Sequence, residues 1–445
     1  MPERSEISYF GAGPAGLPTE VLEEAAASLL NYNGLGLGLG EVSHRSPTAN
    51  KILADTKANL TKLLDIPEDY EILFMQGGGT GQFSAVVQNL VSVWIERRRK
   101  RIAASIGEQD DAAIVSELQK QIDNDLKLDY IVTGSWSLKA SQEAKRMLGE
   151  KYVNIVTDAR KSNNGKFGDI PSEDTWNLTP TPKEGGKASP ALVYFCDNET
   201  VDGVEFPSFP KCLEATEQTS EDDERLVVAD MSSNFLSRRV DVSKYAVIFG
   251  GAQKNIGIAG VSLVILRKSL LPPNVATPPP SLLHQLQRIG GLPGPITYDY
   301  AITAANNSLY NTLPLFNLYV AGSVIAKLAQ KHDGKISGQE EIATRKAEKI
   351  YAVLDKFPQI YKVVPAKGAR SRMNICFRVH EGQADAADKE KAFFAGAEQR
   401  GLLGIKGHRS VGGGRISNYN AVSEESVELL CVYLEEYATG QVRTA

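Results

Sequence analysis

Lys254 lies in Gly250-Gly-Ala-Gln-Lys-Asn-Ile-Gly257, just after the apolar run Ala246-Val-Ile-Phe249. Most lysines are solvated surface charge, but here the neighbours are small or glycine, which places the amine in a close-fitting site. An amine stripped of water and flanked by other charges loses its proton and attacks a carbonyl. Asp230 ends another apolar run, Leu226-Val-Val-Ala229. A buried carboxylate needs a cationic partner or it becomes neutral, and a pyridinium nitrogen would supply one. Capping of a helix ahead of Ser232 and Ser233 is the competing explanation. Gly77-Gly-Gly-Thr-Gly81 follows Glu71-Ile-Leu-Phe-Met-Gln76 and opens a helix-like stretch. Backbone N–H groups at such a start, with the helix dipole, cradle a phosphate, although a tight turn uses the same residues. The dinucleotide fingerprint fails, because Gln82 stands where its last glycine belongs, and no Gly-Lys-Ser/Thr follows to make a P-loop. Gly34-Leu-Gly-Leu-Gly-Leu-Gly40 matches neither pattern.

Trp136 follows Tyr130-Ile-Val-Thr133, and Thr200 stands in Asn198-Glu-Thr200 after Ala191-Leu-Val-Tyr-Phe-Cys196. A phosphate cup, a carbonyl-condensing lysine, an acid for a ring nitrogen and an aromatic face together suit pyridoxal phosphate. Trp136 would stack on the ring, where the alternative is ordinary core, and Thr200 would donate to the ring oxygen. Two His-Arg pairs, His44-Arg45 and His408-Arg409, both near glycines, suit an anionic substrate. Arg372 is the candidate for a bidentate grip on a carboxylate. His284, His332 and His380 stand in loop-like or charged contexts and carry no role.

Gly77–Thr80, Trp136, Asn198–Thr200, Asp230 and Gln253-Lys254 sit at the ends of apolar runs, and the runs alternate with helical spacing. That is the pattern of a mainly parallel α/β sheet, which binds ligands outside the carboxyl ends of its strands. Val261-Ser-Leu-Val-Ile-Leu266 is a further strand, expected to close the sheet. A chain of 445 residues exceeds the roughly 250–300 that one core supports, so a second domain follows, expected from a helix after about Asn317. It would hold a strand at Met373–Val379 and a terminal helix at Ser423–Tyr437, dividing the chain into 1–316 and 317–445. Glu96–Lys127, which begins with Arg97-Arg-Arg-Lys-Arg101, is expected to be a solvated helical excursion. Leu271–Pro295, rich in proline with Gly290-Gly291, is expected to be an irregular surface loop.

Composition sets outer bounds. Apolar residues make up 42% and charged ones 23%, the balance of a folded globular protein. The net charge of -5 offers no general attraction for nucleic acid or an anionic membrane. No apolar stretch approaches the roughly 20 residues of a membrane span, and no secretory signal opens the chain. The cysteines (Cys196, Cys212, Cys376 and Cys431) lack short spacings, as expected of a cytoplasmic protein.

Along almost its whole length the chain resembles the phosphoserine aminotransferases, class V members of the fold-type I pyridoxal-phosphate enzymes. The resemblance rests on Gly13-Pro-Ala15 with Leu17-Pro18, Asn33-Gly-Leu-Gly36, Glu41-Val-Ser-His-Arg45, Gly77 to Phe83, Asn198-Glu-Thr200 with Asp202-Gly203, and Ala229-Asp230 with Ser232-Ser233. It continues through Gly251-Ala-Gln-Lys-Asn255, Tyr310-Asn-Thr312, Ser371-Arg-Met-Asn374, and Lys406-Gly-His-Arg409 with Gly412-Gly413. It implies an α/β fold with a mainly parallel seven-stranded sheet in a large domain and a smaller α/β C-terminal domain. It also implies transamination between 3-phosphohydroxypyruvate and L-glutamate. Lys254 would hold the cofactor, Asp230 would keep its ring nitrogen protonated, and Gly79, Thr80 and Gln253 would hold its phosphate. Asn311 and Thr312 would reach that phosphate from the second subunit of a homodimer. Arginine is common in the family where Thr80 stands, so one expected charge is absent from the cup.

Rivals fail on particular residues. A cysteine desulfurase needs a thiol on a mobile loop, but Cys376 lies in a strand-like run and Cys431 in a helix-like one. An alanine–glyoxylate or serine–pyruvate transaminase would not need two His-Arg pairs. A nicotinamide dehydrogenase would need the fingerprint missing at Gln82, and a nucleic-acid binder built on Arg97–Arg101 conflicts with the acidic balance.

Overall fold

The computed structural model describes residues 2–107, 111–215, 220–221, 223–286 and 293–440. Its centre is a seven-stranded sheet of β1 (Tyr70–Met75), β2 (Leu128–Val132), β3 (Val153–Asp158), β4 (Leu192–Cys196), β5 (Val227–Asp230), β6 (Val247–Gly251) and β7 (Ser262–Arg267), in the spatial order β1-β7-β6-β5-β4-β2-β3. The six apolar runs named above all form strands. β3 escaped notice because it is an edge strand in which only Val156 is fully buried, so it has no continuous apolar run. β7 does not close the sheet. It lies between β1 and β6, antiparallel to both, and the other neighbours pair in parallel. An antiparallel return needs no crossover helix, so the short Lys254 turn can join β6 to β7.

Helices pack on the sheet: α1 (Pro47–Leu64), α2 (Gly78–Ile106), α3 (Asp111–Asp125) and α4 (Ser135–Leu148). The Glu96–Lys127 segment is not a solvated excursion. The 29-residue α2 runs straight through the arginine cluster, and α3 returns along it. Ile114, Leu118 and Ile122 join Ile102, Ala103 and the main core. Arg97 pairs with Glu221 at 3.0 Å and Glu224 at 3.4 Å, and Arg99 with Glu96 at 2.7 Å. The apolar spacing was correct for a helix; its partner face was simply far away in sequence. In the Leu271–Pro295 segment, Pro280–Gln285 forms a short helix that buries Leu282 and Leu283, while Gly290-Gly291 lies outside the described residues.

A second core gathers Phe377, Phe393, Ile416, Leu430 and Leu434 around β8 (Tyr361–Val363), β9 (Asn374–Val379) and β10 (Gly414–Ser417), with α6 (Ser337–Lys356) and α7 (Glu424–Ala438) beside them. The expected 316/317 division falls inside α5 (Leu315–Lys331), whose Leu318, Ala321 and Ile325 pack in the large core. The N-terminal Ser8–Tyr9 strand pairs with Leu402–Leu403 of the second unit. Amphipathic spacing marks a helix's buried face but not which core receives it.

Because Leu118 is completely buried, Leu118→Ala should lower the unfolding free energy by about 2–5 kcal/mol in denaturant titration. A loss below about 0.5 kcal/mol, the scale of a surface substitution, would restore the solvated-helix description.

Candidate active site

The strand ends converge as the alternation demanded. Lys254, in the turn after β6, is only 9% exposed, and its Nζ donates to Thr200 Oγ1 at 2.7 Å. Burial pushes its pKa down to about 8, against the opposing pull of the Asp230 carboxylate. Thr200 lies in a small hairpin after β4, in which Asn198–Glu199 pairs with Val204–Glu205. Asp230, the last residue of β5, accepts the Ser232 N–H at 2.9 Å through Oδ1. Burial pushes its carboxyl up, and the Ser232 donors and Lys254 pull it back. The arrangement is an amine and an acid sharing one dry pocket.

The glycine cup forms the adjoining wall. Gly77, at φ 92°, caps α2, a backbone conformation that favours glycine. A Cβ on Gly77 would come within 2.8 Å of the Tyr298 hydroxyl, and one on Gly79 would lie 3.5 Å from Ser232 Oγ and 3.8 Å from Asp230 Oδ2. The first turn of a long helix therefore faces Asp230 with no side chain in between. Thr80, also in that first turn, is exposed, and the Gln253 side chain folds back over Gly251. Trp136, in the first turn of α4, packs 6.5 Å from the Phe83 ring, with the Lys139 ammonium 4.4 Å from its ring centre. Its buried Nε1 has no hydrogen-bond partner among the described residues.

The expected carboxylate grip is corrected. Arg372 has its guanidinium on Glu205, Nη2 to Oε1 at 2.8 Å, and its own N–H donates to Glu205 Oε2 at 2.7 Å. Burial pushes the Glu205 carboxyl up, but Arg372 and Arg238 outweigh it and hold it below the usual range. Arg372 is thus spent on a buried ion pair. Arg415 on β10 is the cation at the site: Nη1 donates to the Thr200 carbonyl at 3.2 Å, and its buried Nε has no partner among the described residues. Its charge is one of those acting on Lys254. The sequence signal for it was an arginine inside the short buried strand Gly414-Arg-Ile-Ser417, just beyond the His-Arg pair.

His408 lines a cavity of about 450 Å³ with Ser135, Asp202 and Arg415. Partial burial, then the charges of Arg415, Lys139 and Arg409, lower its pKa, so at neutral pH it is an uncharged hydrogen-bonding group rather than a cation. Arg409 is exposed beside it. His44 and Arg45 lie in the turn before α1. Arg45 is exposed, His44 has its buried Nε2 without a partner, and among the described residues no hydrogen bond or ion pair joins either to Lys254 or Arg415. Asn311 donates to Gln76 Oε1 at 2.8 Å, and the Thr312 carbonyl accepts from Gln76 Nε2 at 2.9 Å. Both therefore stand at the end of β1, on the outer side of the glycine cup.

With this geometry in place, comparison with known proteins is direct. The chain matches the class-V aminotransferase family over residues 7–172 and 150–430. It is 41% identical to the phosphoserine aminotransferase of Saccharomyces cerevisiae over 437 residues, covering 98% of each chain. The Drosophila melanogaster phosphoserine aminotransferase is 39% identical, with 98% of this chain and all of that one aligned. Among solved structures, the PLP-bound phosphoserine aminotransferase of Trichomonas vaginalis is 33% identical with a TM-score of 0.74, covering 96% of this chain and 99% of that one. The alanine–glyoxylate aminotransferase of a Nostoc species, at 15% identity and a TM-score of 0.64, shares the fold alone. The chain belongs to the class-V aminotransferases and, among them, to the phosphoserine aminotransferases.

Proposed function

We propose that this protein transfers the amino group of L-glutamate to 3-phosphohydroxypyruvate, giving O-phospho-L-serine and 2-oxoglutarate for serine synthesis, with pyridoxal 5′-phosphate as cofactor. The observation that carries this reading is the Lys254 amine, its pKa lowered to about 8 by burial near the Asp230 carboxyl, which faces the open glycine cup. The residues fit the cofactor: Asp230 has a buried oxygen facing Gly79, Trp136 offers an aromatic face, and the α2 N-terminus offers donors to a phosphate. Gly79, Thr80 and Gln253 would hold that phosphate. When bound, the cofactor supplies an aldehyde that condenses with amines and a ring that accepts the electron pair released at the substrate α-carbon.

The chain's own groups do the rest. Lys254 Nζ would hold the cofactor and, in its unprotonated form, would be placed to take up and hand on the proton of the substrate α-carbon. Thr200 Oγ1 orients that amine, and Asp230 keeps the ring nitrogen protonated. Arg415 grips the substrate carboxylate with the donors that Thr200 leaves free. Arg409 and His408 then receive the phosphate of one substrate or the distal carboxylate of the other, so one pocket serves both half-reactions. A homodimer would complete it, with His44, Arg45, Asn311 and Thr312 entering a neighbouring pocket. Support comes from Leu29, Leu30, Leu35 and Leu37, all about half exposed or more. Four free cysteines accord with a cytoplasmic setting, and among the described residues no helix is long and apolar enough to cross a membrane.

Arg415→Ala should cost about 3 kcal/mol of transition-state binding, roughly a hundredfold in kcat/KM, and leave the fold intact. Arg372→Ala should instead lower stability by about 3 kcal/mol, since it strips a partner from buried Glu205. The opposite pattern in the two variants would restore Arg372 as the carboxylate grip. Offered phosphorylated and unphosphorylated hydroxypyruvate side by side with glutamate, the enzyme should strongly prefer the phosphorylated acid, and Arg45→Ala and Arg409→Ala should each raise its KM. Equal use of the two acids would leave a transaminase of another substrate class.

A further inference from the structure

α4 has only part of a cap of its own: the Ser137 hydroxyl accepts the Thr133 and Gly134 N–H groups at 3.1 and 3.2 Å. Its N-cap position is Gly134, which has no side chain to accept the first helix N–H groups, yet the helix carries Trp136. The missing acceptors come from the hairpin that follows β4, more than sixty residues away in sequence. Glu199 Oε2 accepts the Trp136 N–H at 2.8 Å, and Glu199 Oε1 accepts the Ser137 N–H at 2.9 Å and the Ser137 hydroxyl at 2.5 Å. Asp202 Oδ2 accepts the Ser135 N–H at 2.7 Å. Gly134 is bare because a Cβ there would lie 2.3 Å from the Glu199 side chain. Two carboxylates at a helix N-terminus also meet the positive end of its dipole. Glu199 is fully buried; burial and then the Asp202 charge push its carboxyl up, while the α4 donors pull it back. The next residue, Thr200, receives the Lys254 amine at 2.7 Å.

We propose that Glu199 is the positioning residue of this site: by capping α4 from the end of the neighbouring strand β4, it fixes the Trp136 ring in register with the Lys254 amine that Thr200 holds. A local cap would order the helix just as well. A cap supplied by the residue next to Thr200 also ties the aromatic face to the lysine, so the two move as one body. The inference deepens the transaminase reading and rests on it only where turnover is measured.

The test uses the holoenzyme carrying Glu199→Gln. The amide keeps the size but presents an NH2 group where an acceptor is needed, so one α4 donor loses its partner. The visible circular dichroism of the bound cofactor, which reports how the ring is held, should fall by about half or more, and kcat should fall about tenfold with KM for glutamate within about twofold. Glu199→Asp, which restores the charge on a shorter arm, should recover part of both. If Glu199→Gln does not fold, Ser137→Ala removes one hydroxyl donor to Glu199, together with the acceptor of the Thr133 and Gly134 N–H groups, and should shift the dichroism in the same direction. Wild-type dichroism and kcat in a folded Glu199→Gln enzyme, or wild-type dichroism in Ser137→Ala, would overturn the inference. Loss of the transaminase reading alone would appear differently: the wild-type enzyme would bind the cofactor without turnover, and the dichroism would still decide the role of Glu199.

Discussion

The account depends on the cost of keeping one amine dry. Lys254 gives up hydration in return for a single hydroxyl at 2.7 Å and the field of Asp230, and the balance leaves its pKa near 8 rather than at the usual lysine value. About a tenth of such an amine is unprotonated at pH 7, a far larger nucleophilic fraction than an exposed lysine offers. The same dryness acts on Asp230, whose carboxyl rises and is prepared for a cationic ring nitrogen. The seven-stranded sheet makes this possible because its parallel strands end together, bringing residues from separate segments to one edge.

The hairpin at 198–205 transmits that arrangement to the rest of the molecule. Asn198 hydrogen-bonds Ser233 at 2.6 Å, Asn374 at 2.8 Å and the Ser371 hydroxyl at 2.5 Å, linking the strand ends of the large core to β9 of the second. Glu205 joins Arg238 in the large core to Arg372 in the second, so the charge pair holds the units together instead of contacting substrate. Through these links Arg415 on β10 arrives beside Thr200. The Arg415 cation belongs to one unit and the lysine to the other, and their spacing follows from a buried polar network that leaves little room for slack.

The legible part of the fold was the part with strong periodicity. Buried central strands and amphipathic helices announced themselves, and the residues that end those strands (Gly79, Thr200, Asp230, Lys254) came together as their positions required. Edge strand β3 stayed hidden because only Val156 in it is fully buried, and the fate of Arg97–Arg101 depended on Glu221 and Glu224, more than a hundred residues away. Arg372 and Arg415 show the same limit more sharply. Both are arginines near glycines or strand ends, and only three-dimensional pairing with Glu205 separates the structural cation from the one at the site. Glu199 could not be distinguished from any other acid in the sequence, because the helix it caps begins at Ser135.

The central claim is that Lys254, and no other lysine, forms the covalent link to the cofactor. Lys346 is the natural control, since it is also buried and burial pushes its pKa down to about 7, but its Nζ donates to the Tyr419 and Val422 carbonyls far from the glycine cup. Reduction of the holoenzyme with borohydride, followed by proteolysis and mass mapping, makes the link permanent and locates it. The account predicts the pyridoxyl mass on the peptide containing Lys254 alone. The same mass on the Lys346 peptide, or on no lysine at all, would contradict it.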